Sequence, residues 1–219
     1  MKIFLRRFRD RYEQGMMREQ FGFLRGRSTV DAIFITNRVL RYVDGKVFGC
    51  FIDLRAAYDH LSREAIFDVL ELRCGSKTLT NILIALYAGT TAQVSGAKET
   101  FRTFSGCRQG GQESPCLFNV FLDHVLRICE HDIKEKYPNA GIKFDFGIAS
   151  ECYGKRGERG SGPAHGTDRL KMLLYADDIV VFARTTSELE GVLNIIYEIF
   201  YSILYSHVKF VIAETKYII

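Results

Sequence analysis

The chain has 219 residues, of which 47% are hydrophobic and 26% are charged, so it is long enough to bury one substantial core, or two lobes that share a cleft. A formal net charge of +4 permits a polyanionic partner without requiring one, although residues 1–29 hold eight basic and three acidic side chains, a local charge of +5. No continuous apolar stretch predicts a signal peptide or a membrane span, and six cysteines without a C-x-x-C pair favour reduced thiols in an intracellular protein.

The first half of the chain predicts helices around one buried strand. Ser28 followed by Asp31 indicates a capping box, and "VFGCFI" is an apolar run that ends at Asp53, as expected of a strand covered on both faces. Ser62 is expected to cap the next helix, which Gly75 ends, and "KTLTNILIALYAG" predicts the second helix of a pair. The apolar face of the helix after Ser28 should contain Ile33, Val39, Leu40 and Tyr42.

The second half predicts a hairpin, a long helix and further strands. Residues 90–105 indicate a β-hairpin with a loop centred on Gly96. The segment "SPCLFNVFLDHVLRICEHDIK" predicts a helix with Ser114 as its N-cap and Pro115 at its first position. Its buried face should contain Leu117, Phe118, Phe121, Val125 and Ile128.

The remaining elements complete an α+β fold. Residues 142–148 alternate as a half-buried strand, residues 151–168 predict a surface loop, and residues 170–184 predict a strand, a turn and a strand. A helix is expected over about 187–205, and "HVKFVIA" predicts a last short strand. The irregular order of strands and helices predicts an antiparallel sheet backed by helices on one face.

Two adjacent carboxylates, Asp177 and Asp178, lie between strand-like segments in "LLYADDIVVFA". An acidic turn is usually a solvated one, but Ala176 and Asp177 are not the Asn-Gly type that a two-residue hairpin prefers. Like charges beside a core cost free energy, which a divalent cation would offset, and oxygen ligands without nearby His or Cys favour Mg²⁺ or Mn²⁺. Asp53 is either an ordinary acid at the end of a strand or, if the strands are neighbours, the third carboxylate of a two-metal site.

A glycine-rich loop precedes the long helix, in "GCRQGGQESPCLFN". Consecutive glycines, Gly110 and Gly111, let a backbone approach a ligand closely, and Arg108 and Gln109 lie where a nucleotide could be contacted. The loop falls between the two carboxylate segments, which makes the combined pattern specific.

These segments, in this order, resemble the reverse transcriptase domain of non-LTR (LINE-like) retrotransposons. The match runs from "QFGFLRGRSTVDAIF" through "FIDLRAAYDHL" and the glycine-rich loop to "LLYADDIVVFA", roughly residues 20–184. The resemblance implies one polymerase palm with partial fingers and no thumb, in an intracellular protein of the nucleus or cytoplasm. Fingers and palm elements would fall at 1–45 and 62–105, and the palm at 46–61 and 106–219.

The resemblance also implies a reaction and a set of site residues. A DNA primer would be extended at its 3′-hydroxyl with dNTPs on an RNA template, and Asp53 and Asp177 would hold two Mg²⁺ or Mn²⁺ ions, with Asp178 beside them at the primer end. Tyr58 matches the aromatic position that excludes a ribose 2′-hydroxyl, unless it simply packs. The further substrate contacts would be Arg108, Gln109, Gly110, Arg25 and Arg27, the last two of which could instead be solvated surface.

The chain also departs from the family's pattern. Gly111 and Gln112 stand where the family usually has an acidic residue and a proline, which predicts a looser loop, and Glu214 stands where a lysine is expected, leaving Lys216 as a doubtful general acid. Further domains, a thumb and an endonuclease, are expected in a longer parent protein. The alternatives are a truncated or co-opted relic that binds RNA without polymerising, and an RNA-templated RNA polymerase, which usually has Gly before the aspartate pair.

Overall fold

The computed structural model describes residues 2–42, 45–54, 57–96, 98–108, 110–143, 169–204 and 210–213. Within these ranges the helices are α1 (Lys2–Tyr12), α2 (Thr29–Tyr42), α3 (Ala57–His60), α4 (Arg63–Cys74), α5 (Lys77–Tyr87), α6 (Ser114–Lys136) and α7 (Thr186–Leu204). The strands are β1 (Phe48–Leu54), β2 (Thr91–Gln93), β3 (Thr100–Arg102), β4 (Ile142–Lys143), β5 (Arg169–Leu170), β6 (Met172–Tyr175), β7 (Asp178–Ala183) and β8 (Phe210–Ala213).

Four antiparallel strands form the central sheet in the order β6-β7-β1-β8. On one face, Cys50 and Ile52 of β1 belong to the larger hydrophobic core, which includes residues of α4, α6 and α7. On the other face, Ile35 and Val39 of α2 form a smaller core with Phe182 of β7 and its neighbours. The antiparallel sheet backed by helices is confirmed, but α2 also covers part of the second face because the strands are apolar there as well.

The predicted capping residues of α2 and α4 are confirmed. The Ser28 N–H donates to Asp31 Oδ2 at 2.8 Å, and the Asp31 N–H donates to Ser28 Oγ at 3.3 Å, which is a reciprocal capping box. Ser62 Oγ accepts from the Ala65 N–H at 3.3 Å, and Gly75 ends α4 with a left-handed φ of 58°. Local sequence therefore decides where these helices begin and end.

The N-cap predicted at Ser114 was wrong. Helix α6 begins at Ser114 itself, after Glu113, with Pro115 in its first turn. The Ser114 hydroxyl donates to the carbonyl of Arg108 at 2.6 Å, so this side chain holds the preceding loop rather than the helix N–H groups.

Two residues predicted on buried helical faces are exposed, Ile33 by 59% and Ile128 by 37%. Helix α2 packs through Ile35, and a residue two positions away lies about 200° around the helix, on the opposite side. In α6 the buried stripe passes through Cys129 rather than Ile128. The predicted positions that are buried are Val39, Leu117, Phe118, Phe121 and Val125.

Helix α1 was not predicted. Leu5, Phe8 and Tyr12 are its buried residues, at helical spacing, but the arginines between them conceal the apolar stripe. The hairpin of β2 and β3, helix α7 and strand β8 agree with their predictions. Beyond β4, the predicted strand over 142–148 and the loop over 151–168 lie outside the described residues, as do Glu214 and Lys216.

Five cysteines are free thiols buried in the described structure, which agrees with their prediction as core residues, and Cys152 lies outside it. None of the helices in the described ranges has the length and hydropathy needed to cross a bilayer.

A buried carboxylate on α6 fixes the segment that follows α1. The Asp123 side chain is fully buried, and its oxygens accept from Arg73 at 2.6 Å, from Arg127 at 2.8 Å and from the Met17 N–H at 2.6 Å. Both arginines also donate to the carbonyl of Gly15. One charge therefore joins α4, α6 and the chain between α1 and α2.

We expect Asp123→Ala to lower the free energy of unfolding by about 3 kcal/mol, because two arginines and a backbone N–H would lose their shared buried acceptor. Urea denaturation followed by circular dichroism would measure the change. Asp132→Ala, which removes a partly exposed aspartate from the same helix, is the control and should change stability much less. Equal losses for the two variants would contradict the assigned role of Asp123.

Candidate active site

Asp53 and Asp178 lie directly opposite each other on neighbouring strands. The antiparallel register of β1 and β7 pairs them, and it pairs Ile52 with Ile179 beside them. Opposite residues of an antiparallel pair project from the same face of the sheet, so the two carboxylates share one face. The structure thus brings together two of the three carboxylates that the sequence singled out.

The third carboxylate, Asp177, belongs to the two-residue turn between β6 and β7. Pairing of Tyr175 with Asp178 closes this turn around Ala176 and Asp177. Ala176 has a φ of 57°, a left-handed conformation that costs a residue with a side chain roughly 1 kcal/mol or more. The turn that presents Asp177 therefore depends on support from the surrounding structure.

The other two carboxylates act electrostatically on Asp178. Burial raises the pKa of Asp178 above its usual value, and the negative charges of Asp177 and Asp53 raise it further. Carboxylate oxygens that repel one another suit a divalent cation such as Mg²⁺ or Mn²⁺, which would offset this repulsion. The donor set fits the predicted metal.

A different group of potential metal ligands lies near the end of α6. The ligand atoms of His131, Asp132 and Glu135 are within 4.8 Å of one another. His131 and Glu135 are exposed, and exposed polar groups of this kind are common without a metal, so the group is a solvated surface.

Tyr58 lies near enough to Asp177 for the carboxylate charge to act on its hydroxyl. Its ring stacks on Phe118 of α6, with 4.5 Å between the ring centroids, and the side chain is half-buried. Burial and the charge of Asp177 both raise the pKa of the Tyr58 hydroxyl. The ring thus packs against the core while the residue remains close to Asp177, as the predicted sugar-excluding position requires.

An apolar cavity of about 450 Å³ opens beside Asp178. Phe51 and Tyr175 line it from the sheet, and Ile33 and Asn37 line it from α2. The exposed side chain of Ile33 therefore lines a cavity beside the candidate site.

The glycine-rich loop is held in place by hydrogen bonds at its described residues. The carbonyl of Arg108 accepts from the Gly111 N–H at 3.0 Å as well as from the Ser114 hydroxyl. A Cβ at Gly111 would lie 2.6 Å from the buried Glu113 carboxylate, so a larger residue there would require the side chains of Glu113 and Ser114 to shift. These contacts argue against the predicted loosening. The Arg108 side chain is 42% exposed, Gly110 has a φ of 78°, and Gln109 lies outside the described residues.

Both arginines predicted to contact nucleic acid have partners within the protein. Arg27 donates to the carbonyls of Met17, Arg18 and Gln20, so its side chain holds this part of the backbone in place. Arg25 pairs with Asp10 at 2.8 Å and with Glu13 at 3.6 Å, but half of its side chain stays exposed. The nucleic-acid contacts of Arg25 and Arg27 stay predictions.

Two buried polar residues near the turn were missed by the sequence analysis. Gln20 Oε1 accepts from the Ala176 N–H at 3.2 Å, and Asn119 of α6 donates to the carbonyl of Gly22 at 2.7 Å. Neither residue belongs to a spacing pattern, because the two contacts join positions 156 and 97 residues apart.

The sequence is similar to a known protein family and to two retrotransposon polyproteins. A family profile described as "Reverse transcriptase (RNA-dependent DNA polymerase)" matches residues 2–216. The chain is 32% identical over 181 residues to the retrovirus-related Pol polyprotein from type-2 retrotransposable element R2DM of Drosophila melanogaster, covering 80% of this chain and 14% of that protein. It is 24% identical over 155 residues to the retrovirus-related Pol polyprotein from type-1 retrotransposable element R2 of Nasonia vitripennis. This match covers 68% of this chain and 12% of that protein. The chain therefore spans a small part of these relatives.

Solved structures share the fold. An apo telomerase from Candida tropicalis, truncated from its C-terminal domain, superposes with a TM-score of 0.57 at 12% identity, over 89% of this chain and 35% of that chain. Telomerase from Candida albicans, in complex with a TWJ fragment of telomeric RNA, superposes with a TM-score of 0.51 at 14% identity. The match covers 90% of this chain and 31% of that chain. The predicted polymerase palm fold is confirmed.

We expect Asp178→Asn to raise the melting temperature at pH 7 in the absence of divalent ions. Because the pKa of Asp178 is raised on folding, the wild-type protein loses stability as the pH rises through that pKa, and asparagine removes this loss. The difference between variant and wild type should therefore shrink toward pH 3. Thermal melts at both pH values test this, with Asp68→Asn on the exposed side of α4 as control; a lower melting temperature for Asp178→Asn at pH 7 would contradict it.

Proposed function

Since the chain belongs to the reverse transcriptase (RNA-dependent DNA polymerase) family, we propose that it extends a DNA primer with deoxynucleotides on an RNA template. The observation that supports this most is the register that sets Asp53 opposite Asp178, with Asp177 in the adjoining turn. Three carboxylates at the ends of the central strands β1 and β7 and in the adjoining turn are the arrangement that phosphoryl transfer with two metal ions needs.

In this proposal Asp53, Asp177 and Asp178 hold two Mg²⁺ or Mn²⁺ ions. Bound there, the ions would stabilise the charge that develops on the transferred phosphoryl group. The strained turn at Ala176 and the fixed register of β1 and β7 orient the carboxylates before any substrate binds, which lowers the cost of arranging them during the reaction.

Side chains around the carboxylates would select and position the substrates. Tyr58, stacked on Phe118, would close the space beside the sugar and exclude a 2′-hydroxyl. Arg108 and Gly110, with Gln109 between them, would contact the incoming nucleotide and the template. The exposed half of Arg25 would meet the backbone of the template or the triphosphate.

Further domains would assist this chain in a longer protein, because it aligns with only 14% and 12% of the two polyproteins. These would include a thumb, which would hold the duplex, and an endonuclease. The second candidate function is a relic that binds RNA without polymerising. It is favoured by Gly111, which has no carboxylate at the position where the family usually has one.

Primer extension on an RNA template with Mg²⁺ and dNTPs tests the proposed function. We expect extension by the wild-type chain and a loss of at least about 100-fold for Asp177→Asn, because a metal-holding charge is removed. Asp68→Asn is the matched control and should extend normally. A folded wild-type chain that binds the RNA but extends no primer would favour the relic.

We expect Tyr58→Ala to relax discrimination against ribonucleotides by roughly 10-fold or more, because the half-buried ring beside Asp177 would no longer fill the space next to the sugar. The ratio of kcat/KM for dNTP and rNTP measures the change. Tyr175→Ala, which opens the neighbouring cavity wall, is the comparison. Unchanged selectivity in Tyr58→Ala would reject the assignment.

A further inference from the structure

The backbone over residues 15–22, which we call the anchored segment, is held to the rest of the protein along its whole length. Gly15 and Met17 are bound by the Asp123 cluster of α4 and α6, and Arg27 donates to three carbonyls of the segment. Several side chains from three helices or loops therefore bind this one irregular stretch, and the bond from the Met17 N–H to Asp123 is buried, which fixes its position.

The anchored segment lies against β6, the strand that precedes the turn of Ala176 and Asp177. The Leu174 N–H donates to the carbonyl of Glu19 at 2.9 Å, and the Phe21 N–H donates to the carbonyl of Leu174 at 2.7 Å. Gln20 pairs with Leu174 as a parallel bridge. The segment therefore extends the sheet by one isolated parallel bridge beside β6.

The side chain of Gln20 reaches from this segment to the turn. It is 1% exposed, and its Oε1 accepts from two backbone groups, the Ala176 N–H at 3.2 Å and the Gly22 N–H at 2.8 Å. Ala176 is the residue with the left-handed φ, and it directly precedes Asp177. One buried oxygen thus binds the strained position of the turn.

Gly22 allows this approach, and Asn119 keeps it in place. A Cβ on Gly22 would lie 2.2 Å from the Ala176 nitrogen and 2.8 Å from its Cα, so the two backbones are in contact. Asn119, fully buried on α6, donates to the carbonyl of Gly22 from the other side. The turn is thereby tied to the same helix that carries Phe118 under Tyr58.

We propose that Gln20 is a positioning residue of the polymerase site: its side-chain carbonyl holds Ala176 in the left-handed conformation and so directs Asp177. This inference rests on the proposed function. Loss of the acceptor should let the turn relax toward an unstrained φ and misplace the carboxylate, because a non-glycine residue does not hold a positive φ without support.

Primer extension by Gln20→Met, which keeps the size and removes the acceptor, tests the role. We expect kcat to fall on the order of 10-fold to 100-fold while KM for the deoxynucleotide changes little, because misplacement affects the reaction more than binding. Phe21→Leu shortens a buried side chain of the same segment but leaves the Gln20 acceptor in place, so it should keep its kcat. Gly22→Ala, which pushes the turn away, should lose kcat as Gln20→Met does.

The double variant Gln20→Met/Ala176→Gly separates positioning from general stability. Glycine takes a positive φ without steric cost, so it should regain much of the lost kcat although the hydrogen bond is still missing. No regain, or an equal loss of kcat in Phe21→Leu, would overturn the proposal.

Amide hydrogen exchange over residues 172–183 provides a readout that does not need activity. The Ala176 amide should exchange faster in Gln20→Met than in wild type, and unchanged protection would overturn the proposal. If the wild-type chain does not extend a primer, the polymerase function fails, and the exchange result alone then decides whether Gln20 holds the turn.

Discussion

The pairing of β1 with β7 is the contact on which the site depends. Both strands place residues in the larger core, and Ile52 and Ile179 form one pair of the face that packs on it. A shift of one residue would move these side chains off the larger core and turn the carboxylates into it, so burial fixes the register. The core thus holds Asp53 and Asp178 together against their mutual repulsion.

Helix α6 connects the site at the ends of β1 and β7 to the N-terminal part of the chain. Phe118 supports Tyr58, Asn119 binds Gly22, and Asp123 gathers two arginines and the backbone near Met17. Residues of one buried helix therefore position the tyrosine, the turn and the anchored segment. The buried polar side chains Asn119 and Asp123 thus each bind a defined partner on another part of the chain.

Much of the fold followed from local patterns. The capping residues of α2 and α4, the hairpin of β2 and β3 and the apolar strands around the carboxylates were correctly predicted, and the resemblance to reverse transcriptase domains of non-LTR elements is confirmed. Faces of helices were predicted less well, because Ile33 and Ile128 are apolar but the helices pack through other positions. Helix α1 was missed because charged residues separate its buried ones.

The sequence by itself determined which residue types end the buried strands, where helices start, and to which family the chain belongs, because these depend on neighbours in the chain. Only the tertiary structure decided that Asp53 faces Asp178, that Arg27 donates to backbone carbonyls, and that Gln20 binds the turn. Gln20 and Ala176 are 156 positions apart, and a hydrogen bond across such a separation leaves no local pattern. Such contacts exist only once the sheet and α6 have packed.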